Sequence, residues 1–377
     1  MPGLYVHLPF CVKKCAYCDF VSMPGDSALR ERYVQRVIEE IKDRGISGKR
    51  SISGKCDTVF FGGGTPSILD PEQTERILGA LRSSFDIAGD AEITAEANPE
   101  SLTFEKAVAL KRIGVNRLSI GFQSLEKRAL QILGRAHDAE QAAEAFRNAR
   151  RAGFENINID LIFGLPGEPE GEFETTLKKV LAMSPEHISA YSLIVEEGTP
   201  LCRDITAGRL PEPEDERDRK DYHLALEMLG DAGYRRYEIS NFARPGFESK
   251  HNKNCWEQEE YIGFGPAAAS FTGRQRYRNN CDITAYAEKG PVIEDDPEMT
   301  DLEMMKEYMM LGFRLAEGPD FQKFQQKYGK NANEIFSGSL KKLESAGLIE
   351  RTRSIKRPYR LTLRGLDLGN IVFGEFV

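Results

Sequence analysis

The first 193 residues alternate between two hydrophobic periods. Short runs rich in β-branched and aromatic residues stand at Leu4–Leu8, Asp57–Gly62, Ala91–Ala97, Asn116–Phe122, Asn156–Phe163 and His187–Leu193. Between them, apolar residues recur every three or four positions, as in Arg30–Ile41, where Tyr33, Val34, Val37, Ile38 and Ile41 share one face. Glu72–Leu81, Phe104–Ile113, Glu140–Ala152 and Phe173–Ala182 follow the same rule, with Pro71, Ser101 and Thr103 as start signals. Repeated strand–helix alternation predicts parallel strands joined by right-handed crossover helices. The expected fold class is therefore α/β, a partial (β/α)6 TIM-like barrel over residues 1–210. A full barrel needs two more units, which the pattern after Leu193 does not supply.

The texture then changes. Leu210–Arg219 is rich in proline and acid, a helix is expected near Lys220–Leu229, and Tyr234–Ile239 reads as a strand. Residues 211–295 are expected to be a connecting or lid region, and 296–377 a mostly helical C-terminal domain. In the latter, helices at Asp301–Leu315, Phe321–Tyr328 and Ala332–Ala346 precede a candidate hairpin, Leu348–Glu350 with Tyr359–Thr362. Helices followed by a hairpin resemble a winged helix, and Lys341, Lys342, Arg351, Arg353, Lys356 and Arg357 add positive charge. The net charge of -8 opposes a nucleic-acid reading of the whole chain, and no nucleic-acid partner is expected. Seven cysteines, three clustered and four scattered, fit a reducing compartment better than a disulfide framework. With no secretory signal and no apolar run of about 18 residues, the cytoplasm is expected.

In parallel α/β folds the chemistry gathers at the carboxyl ends of the strands. Cys11, Cys15 and Cys18, spaced C-x3-C-x2-C, follow the first strand. Three thiolates on one loop can hold three irons of a four-iron cluster and leave the fourth iron open to a small molecule. A zinc site is the alternative, but Asp19 and Phe20 follow without a fourth ligand. Gly62, Gly63 and Gly64, ahead of Thr65, end the second strand, and such a run presents bare backbone to a ligand. A phosphate loop is the rival reading, but its Lys-Ser or Lys-Thr ending is absent. Glu96 ends the third strand, Gln123 the fourth, and Asp160 interrupts the apolar fifth, where an unpaired charge is costly. Arg135 lies in a polar loop. Further on, His251-Asn252-Lys253-Asn254-Cys255-Trp256 holds the chain's single tryptophan, and the glycine- and alanine-rich Tyr261–Ser270 leaves room for a flat ligand or a neighbouring backbone.

Taken in order, these motifs resemble the oxygen-independent coproporphyrinogen III oxidase family of radical-SAM proteins. They are the cysteine triplet with Tyr17 before its last member, Gly-Gly-Gly-Thr-Pro, Glu96, Ser119–Ser124, Gly134-Arg135 and Asp160–Pro166. The resemblance implies a [4Fe-4S] cluster on Cys11, Cys15 and Cys18, and bound S-adenosylmethionine (SAM). It places Tyr5, Tyr17, Gly63, Gly64, Thr65, Glu96, Gln123, Arg135 and Asp160 as SAM-binding residues. SAM's amino-acid end carries an ammonium, suited to Glu96, and a carboxylate, suited to Arg135. Two departures resemble the HemW-type haem-chaperone branch: the chain begins almost on its first strand, and Phe20 stands where the oxidase has a further cysteine. That branch implies haem as cargo, delivered to haem-requiring acceptor proteins. It also implies a reductant such as a flavodoxin or ferredoxin, and contact with the membrane surface. His251 is the candidate haem ligand by resemblance, with Cys255 where that branch carries tyrosine. The implied activity is a radical-SAM protein able to cleave SAM reductively. The alternative is oxidative decarboxylation of coproporphyrinogen III to protoporphyrinogen IX.

Overall fold

The computed structural model describes residues 1–47, 52 and 54–377. Six parallel strands lie side by side in chain order: β1 (Gly3–Leu8), β2 (Cys56–Gly63), β3 (Ile87–Ala97), β4 (Arg117–Gln123), β5 (Ile157–Phe163) and β6 (His187–Ser192). They are joined through α1 (Ser27–Ser47), α2 (Pro71–Ser84), α3 (Phe104–Ile113), α4 (Lys127–Leu133), α5 (Ala139–Arg151) and α6 (Glu172–Met183). Helix starts follow from local chemistry. Asp70 and Gln73 form a capping box around Pro71, and Thr103 accepts the Lys106 N–H.

The strands have two different faces. Leu4, Val6, Leu8, Val59, Phe61, Leu118, Ile120, Phe122, Ile157, Ile159 and Leu161 are fully buried in one core with the helices. The alternate positions carry Tyr5, His7, Thr58, Glu92, Glu96, Arg117, Ser119, Asn158, Asp160 and His187. Period-two alternation thus sends apolar side chains out under the helices and polar ones to the inner face. Polar groups there are held strand to strand: Asn158 Nδ2 donates to Ser119 Oγ at 2.7 Å and to Asp160 Oδ1 at 2.8 Å.

Residues 211–295 carry strands that extend this sheet on both sides. After α7 (Pro200–Thr206), α8 (Asp215–Asp231) and β7 (Arg235–Arg236), β8 (Asn241–Ala243) adds antiparallel to β6, and β7 pairs antiparallel with β8 at the sheet edge. The strand expected over Tyr234–Ile239 is thus short, and the pairing strand begins at Asn241. The buried Glu238 carboxylate makes that turn, accepting the Ser240 N–H and the Asn241 amide at 2.8 and 2.6 Å. Then come α9 (Lys250–Trp256), β9 (Tyr261–Phe264), β10 (Ala269–Thr272), β11 (Gln275–Asn279), α10 (Ile283–Lys289) and β12 (Ile293–Asp295). β9 pairs parallel with β1, and β10–β12 continue antiparallel, giving the order β12-β11-β10-β9-β1-β2-β3-β4-β5-β6-β8-β7.

The remainder builds a second core from α11 (Asp301–Arg314), α12 (Phe321–Tyr328), α13 (Ala332–Ile335), α14 (Ser337–Ser345) and a hairpin, β13 (Ile349–Arg351) with β14 (Tyr359–Leu361). The helix expected over Ala332–Ala346 breaks at Phe336, whose ring is drawn into that core beside Phe324 and Phe376. Four of the six cations that suggested a basic patch, Lys342, Arg351, Lys356 and Arg357, pair with Glu375, Glu344, Asp320 and Glu257. Among the described residues, no helix is long and apolar enough to cross a membrane.

Candidate functional site

β1 runs directly into the cysteine loop. Cys11 N–H donates to Met23 O at 3.1 Å, and Met23 N–H to Pro9 O at 2.8 Å, which closes the loop at its base. Its far side is tied to α4, where Ala16 N–H reaches Leu133 O at 2.9 Å. Cys11, Cys15 and Cys18 are half-buried and unpaired. Burial pushes the Cys18 thiol up to about 11, and it lies close enough to Cys15 and Cys11 for their charges to add to that push. Among the described residues, no three His, Cys, Asp or Glu side chains converge as they would on a single ion. A cluster that gives each thiolate its own iron does not require that convergence.

A chain of hydrogen bonds joins two of these sulfurs through three strand ends. Thr65 Oγ1 donates to Cys11 Sγ at 3.5 Å and accepts from Asn98 Nδ2 at 2.8 Å. Arg135 Nη2 donates to Asn98 Oδ1 at 2.7 Å and to Gly121 O at 2.8 Å, while Nη1 donates to Cys15 Sγ at 3.3 Å. Arg135 Nε, also buried, has no partner among the described residues. Gly134 ends α4 at φ 69° against Ala16, which sets Arg135 beside the loop. Gly121 is glycine for a related reason: a Cβ there would meet Gln123 Nε2 at 2.9 Å and Asn98 Oδ1 at 3.1 Å. Gln123 itself bends the end of β4 with φ 65°, a conformation rare outside glycine.

The glycine run serves close approach. A Cβ on Gly64 would lie 2.8 Å from Leu8 O, Phe10 N and Phe10 O, all backbone where β1 runs into the cysteine loop. Gly63, at φ 104°, leaves space for the His7 ring, and its N–H donates to Glu96 Oε2 at 3.1 Å. Burial and the neighbouring Asp160 push the Glu96 carboxyl up to about 8, against the Gly63 N–H and Arg117. Asp160 accepts Ser119 Oγ–H at 2.9 Å as well as the Asn158 amide, so the charge that interrupts β5 is hydrogen-bonded. Burial raises the Tyr5 and Tyr17 phenols well above their usual range. Tyr5 donates to His7 Nδ1 at 3.1 Å, and His7 Nε2 donates to Val21 O at 2.8 Å.

The structure thus brings Cys11, Cys15, Gly63, Gly64, Thr65, Glu96 and Arg135 into one connected rim, with Tyr5, Tyr17, Gln123 and Asp160 around it. His251 comes from elsewhere. α9 stands at the amino end of the sheet, where Glu92 accepts the backbone N–H groups of Lys250 and His251 at 3.1 and 3.2 Å. The His251 ring is 8% exposed, stacks on Phe60 at 5.1 Å and Tyr5 at 6.5 Å, and shares Nδ1 with Thr58 Oγ1 at 3.0 Å. Burial and Arg117 depress its pKa to about 4. Three residues of α9 have three surroundings: His251 enters the inner face, Cys255 lines a cleft, and Trp256 stacks under the Arg314 guanidinium at 4.4 Å. That cleft, about 480 Å³, also meets Tyr5, His7, Phe20 and Arg278. The small residues of Tyr261–Ser270 act both ways here: Gly263 admits the backbone of Ala269, and Ala267 and Ala269 line the cleft.

Sequence reasoning passed over two residues. Asn98 links Thr65 to Arg135, though its side chain gave no signal beyond lying at a strand end. Arg117, 2% exposed with Nε unpartnered among the described residues, sits near Glu96, His187 and His251 and depresses both imidazoles. Its signal was available: a cation in phase with Ser119, Gly121 and Gln123 on the inner face of β4.

A partial parallel barrel with three unpaired cysteines after its first strand, set in a rim of glycine, carboxylate and arginine, defines a radical-SAM protein. The radical SAM superfamily model matches residues 5–180, and the HemN C-terminal domain model matches residues 299–368. The chain is similar to a heme chaperone HemW of Bacillus subtilis (strain 168), 38% identical over 383 residues, covering 100% of this chain and 99% of that protein. It is 33% identical to a heme chaperone HemW of Lactococcus lactis subsp. lactis (strain IL1403), covering 99% and 96%. It is also 34% identical to the mitochondrial radical S-adenosyl methionine domain-containing protein 1 of Bos taurus, covering 92% and 81%. The chain belongs to this family, the HemW branch of the radical SAM superfamily. Coproporphyrinogen III oxidase (HemN) from Escherichia coli shares the fold, with a TM-score of 0.84 at 24% identity over 100% of this chain and 90% of that one. The superfamily's resident cofactors are a [4Fe-4S] cluster and SAM. The residues present suit them: three free thiols, two of which receive hydrogen bonds, glycines that clear the rim, and an arginine with an unused donor.

Proposed function

We propose that this protein is a cytoplasmic radical-SAM haem chaperone, which binds haem and passes it to haem-requiring acceptor proteins. In this reading Cys11, Cys15 and Cys18 hold the cluster, which supplies one-electron chemistry to SAM when reduced by a flavodoxin- or ferredoxin-like donor. Arg135 and Thr65 donate to the ligating sulfurs and so tune the cluster. Arg135 Nε is left for the SAM carboxylate, and Glu96 receives its ammonium. A cation arriving there opposes the upward push on the Glu96 carboxyl and draws it into the ionised form. Tyr5, Tyr17, Gly63, Gly64, Gln123 and Asp160 complete the walls.

One observation carries the haem reading. His251 and Phe20, the residue that replaces the oxidase's further cysteine, line one cleft that also touches Tyr5 at the SAM rim. His251 Nε2 has no hydrogen-bond partner among the described residues, and a neutral imidazole nitrogen is a good iron ligand. The names of the full-length relatives support the same reading. The deciding experiment is a haem titration of anaerobically reconstituted protein, run beside a coproporphyrinogen III oxidation assay with SAM. The expected result is a haem spectrum that changes in His251→Ala, without protoporphyrinogen formation. Turnover to protoporphyrinogen with no haem bound would establish the oxidase instead.

A further inference from the structure

We infer that Phe20 and Arg278 are specificity residues of the haem cleft, Phe20 as the aromatic wall against the porphyrin plane and Arg278 as the cation for a propionate. This rests on the haem reading above and names residues that reading leaves unassigned. Phe20 is a large apolar side chain left 63% exposed beside the cluster loop, where water is the default neighbour and an aromatic ring gains nothing. Its backbone is anchored: the carbonyl accepts from Lys14 Nζ at 2.9 Å and Ser22 Oγ at 3.3 Å. The ring is therefore presented rather than loose, and it lines the cleft together with His251.

The rest of the lining, in which Asp19 is the one acid among the described residues, fits a flat, largely apolar ligand that carries carboxylates. Ala267 and Ala269 contribute small side chains to the lining, and Tyr5 and Tyr261 add ring surface. Arg278 is the cleft's only arginine or lysine among the described residues. It pairs with Glu294 across β11 and β12 at 3.0 Å, but both side chains are largely exposed, so that pair is weak and exchanges readily for a carboxylate ligand. Haem meets each feature at once: a porphyrin face for Phe20, carboxylates for Arg278, and iron for the His251 side. SAM has a single carboxylate, which the reading above gives to Arg135, and it offers no extended ring plane for Phe20.

The test uses the reconstituted full-length chain and two probes, haem and its dimethyl ester, in which the propionates carry no charge. Phe20→Ala should weaken binding of both probes roughly tenfold, the equivalent of losing one buried aromatic contact. Arg278→Ala, at an exposed position, should weaken haem several-fold and leave the ester unchanged. Iron and sulfide content on the same samples reports the cysteine loop separately. Wild-type protein that binds neither probe overturns the haem reading itself. Wild-type haem binding with both variants unchanged overturns this inference alone. Loss of SAM affinity in Phe20→Ala with haem affinity intact also overturns it, because the cleft would then belong to the nucleoside.

Discussion

The two ends of the sheet's inner face handle iron-binding side chain types in opposite ways. At the carboxyl end, Cys11 and Cys15 are half-buried and receive hydrogen bonds from Thr65, just past β2, and Arg135, just past α4. At the amino end, His251 is buried, stacked on Phe60 and kept neutral, and the carboxylate nearest its helix, Glu92, caps backbone instead of contacting the ring. The rim is organised by polar contacts that leave the sulfurs reachable, whereas the amino end is organised by packing. A ligand-type residue is thus recognised by what it leaves available: sulfurs at the rim, and one ring nitrogen at the other end.

The sharpest way to break that contrast is to remove a sulfur. Replacing Cys11, Cys15 or Cys18 with Ala should abolish the brown chromophore, while His251→Ala should leave iron content unchanged. Iron and sulfide analysis decides, and retained iron in the cysteine variants would end the cluster assignment. Gly64→Ala comes next. Its Cβ would press on three backbone atoms that cannot swing aside, so a loss of about 2–3 kcal/mol and reduced iron loading are expected. Gly79→Ala in α2, where nothing lies within 4 Å, should instead stabilise by about 0.5–1 kcal/mol, and urea melts separate the two.

Asn98→Ala should have a smaller effect of about 1–3 kcal/mol, since it leaves Arg135 and Thr65 each short of a buried partner. SAM binding should weaken with it, and isothermal titration would show whether Asn98 matters to the rim or only to the strand. The most subtle prediction concerns pH. Without SAM, Glu96 has a raised folded-state pKa of about 8, so the unfolded chain releases its proton first. That carboxyl therefore contributes to stability fully at low pH and loses the contribution as pH rises from the unfolded value toward 8. Glu96→Gln should accordingly gain on wild type, by roughly 1–3 kcal/mol, between pH 5 and pH 8. A stability difference that stays flat over that window would show that Glu96 is not buried near Asp160 as described.

Much of the rim was legible because its signals are local. The cysteine spacing, the glycine run and the charges at strand ends each occur within a few residues of a strand with clear period-two alternation. Gly64 was readable as a special position but not its reason, since the backbone it must clear belongs to Leu8 and Phe10, where β1 runs into the cysteine loop. Tyr234–Ile239 looked like a strand by composition, yet the buried Glu238 turned the chain and moved the pairing to Asn241. The flanking strands of residues 211–295 are short, so their hydrophobic pattern is too brief to announce membership in the main sheet.

The sequence by itself determined which face each strand residue takes and that three thiols share one loop, because alternation and close spacing are properties of neighbouring residues. Only the tertiary structure decided that Thr58 and His251, 193 residues apart, would share a hydrogen bond, and that Arg117 would lie near Glu96 and His251. Those meetings depend on strand order, on β9 pairing with β1, and on α9 being capped by Glu92. A side chain's face is written in its own stretch of chain, but its partner is set by where a distant stretch comes to rest.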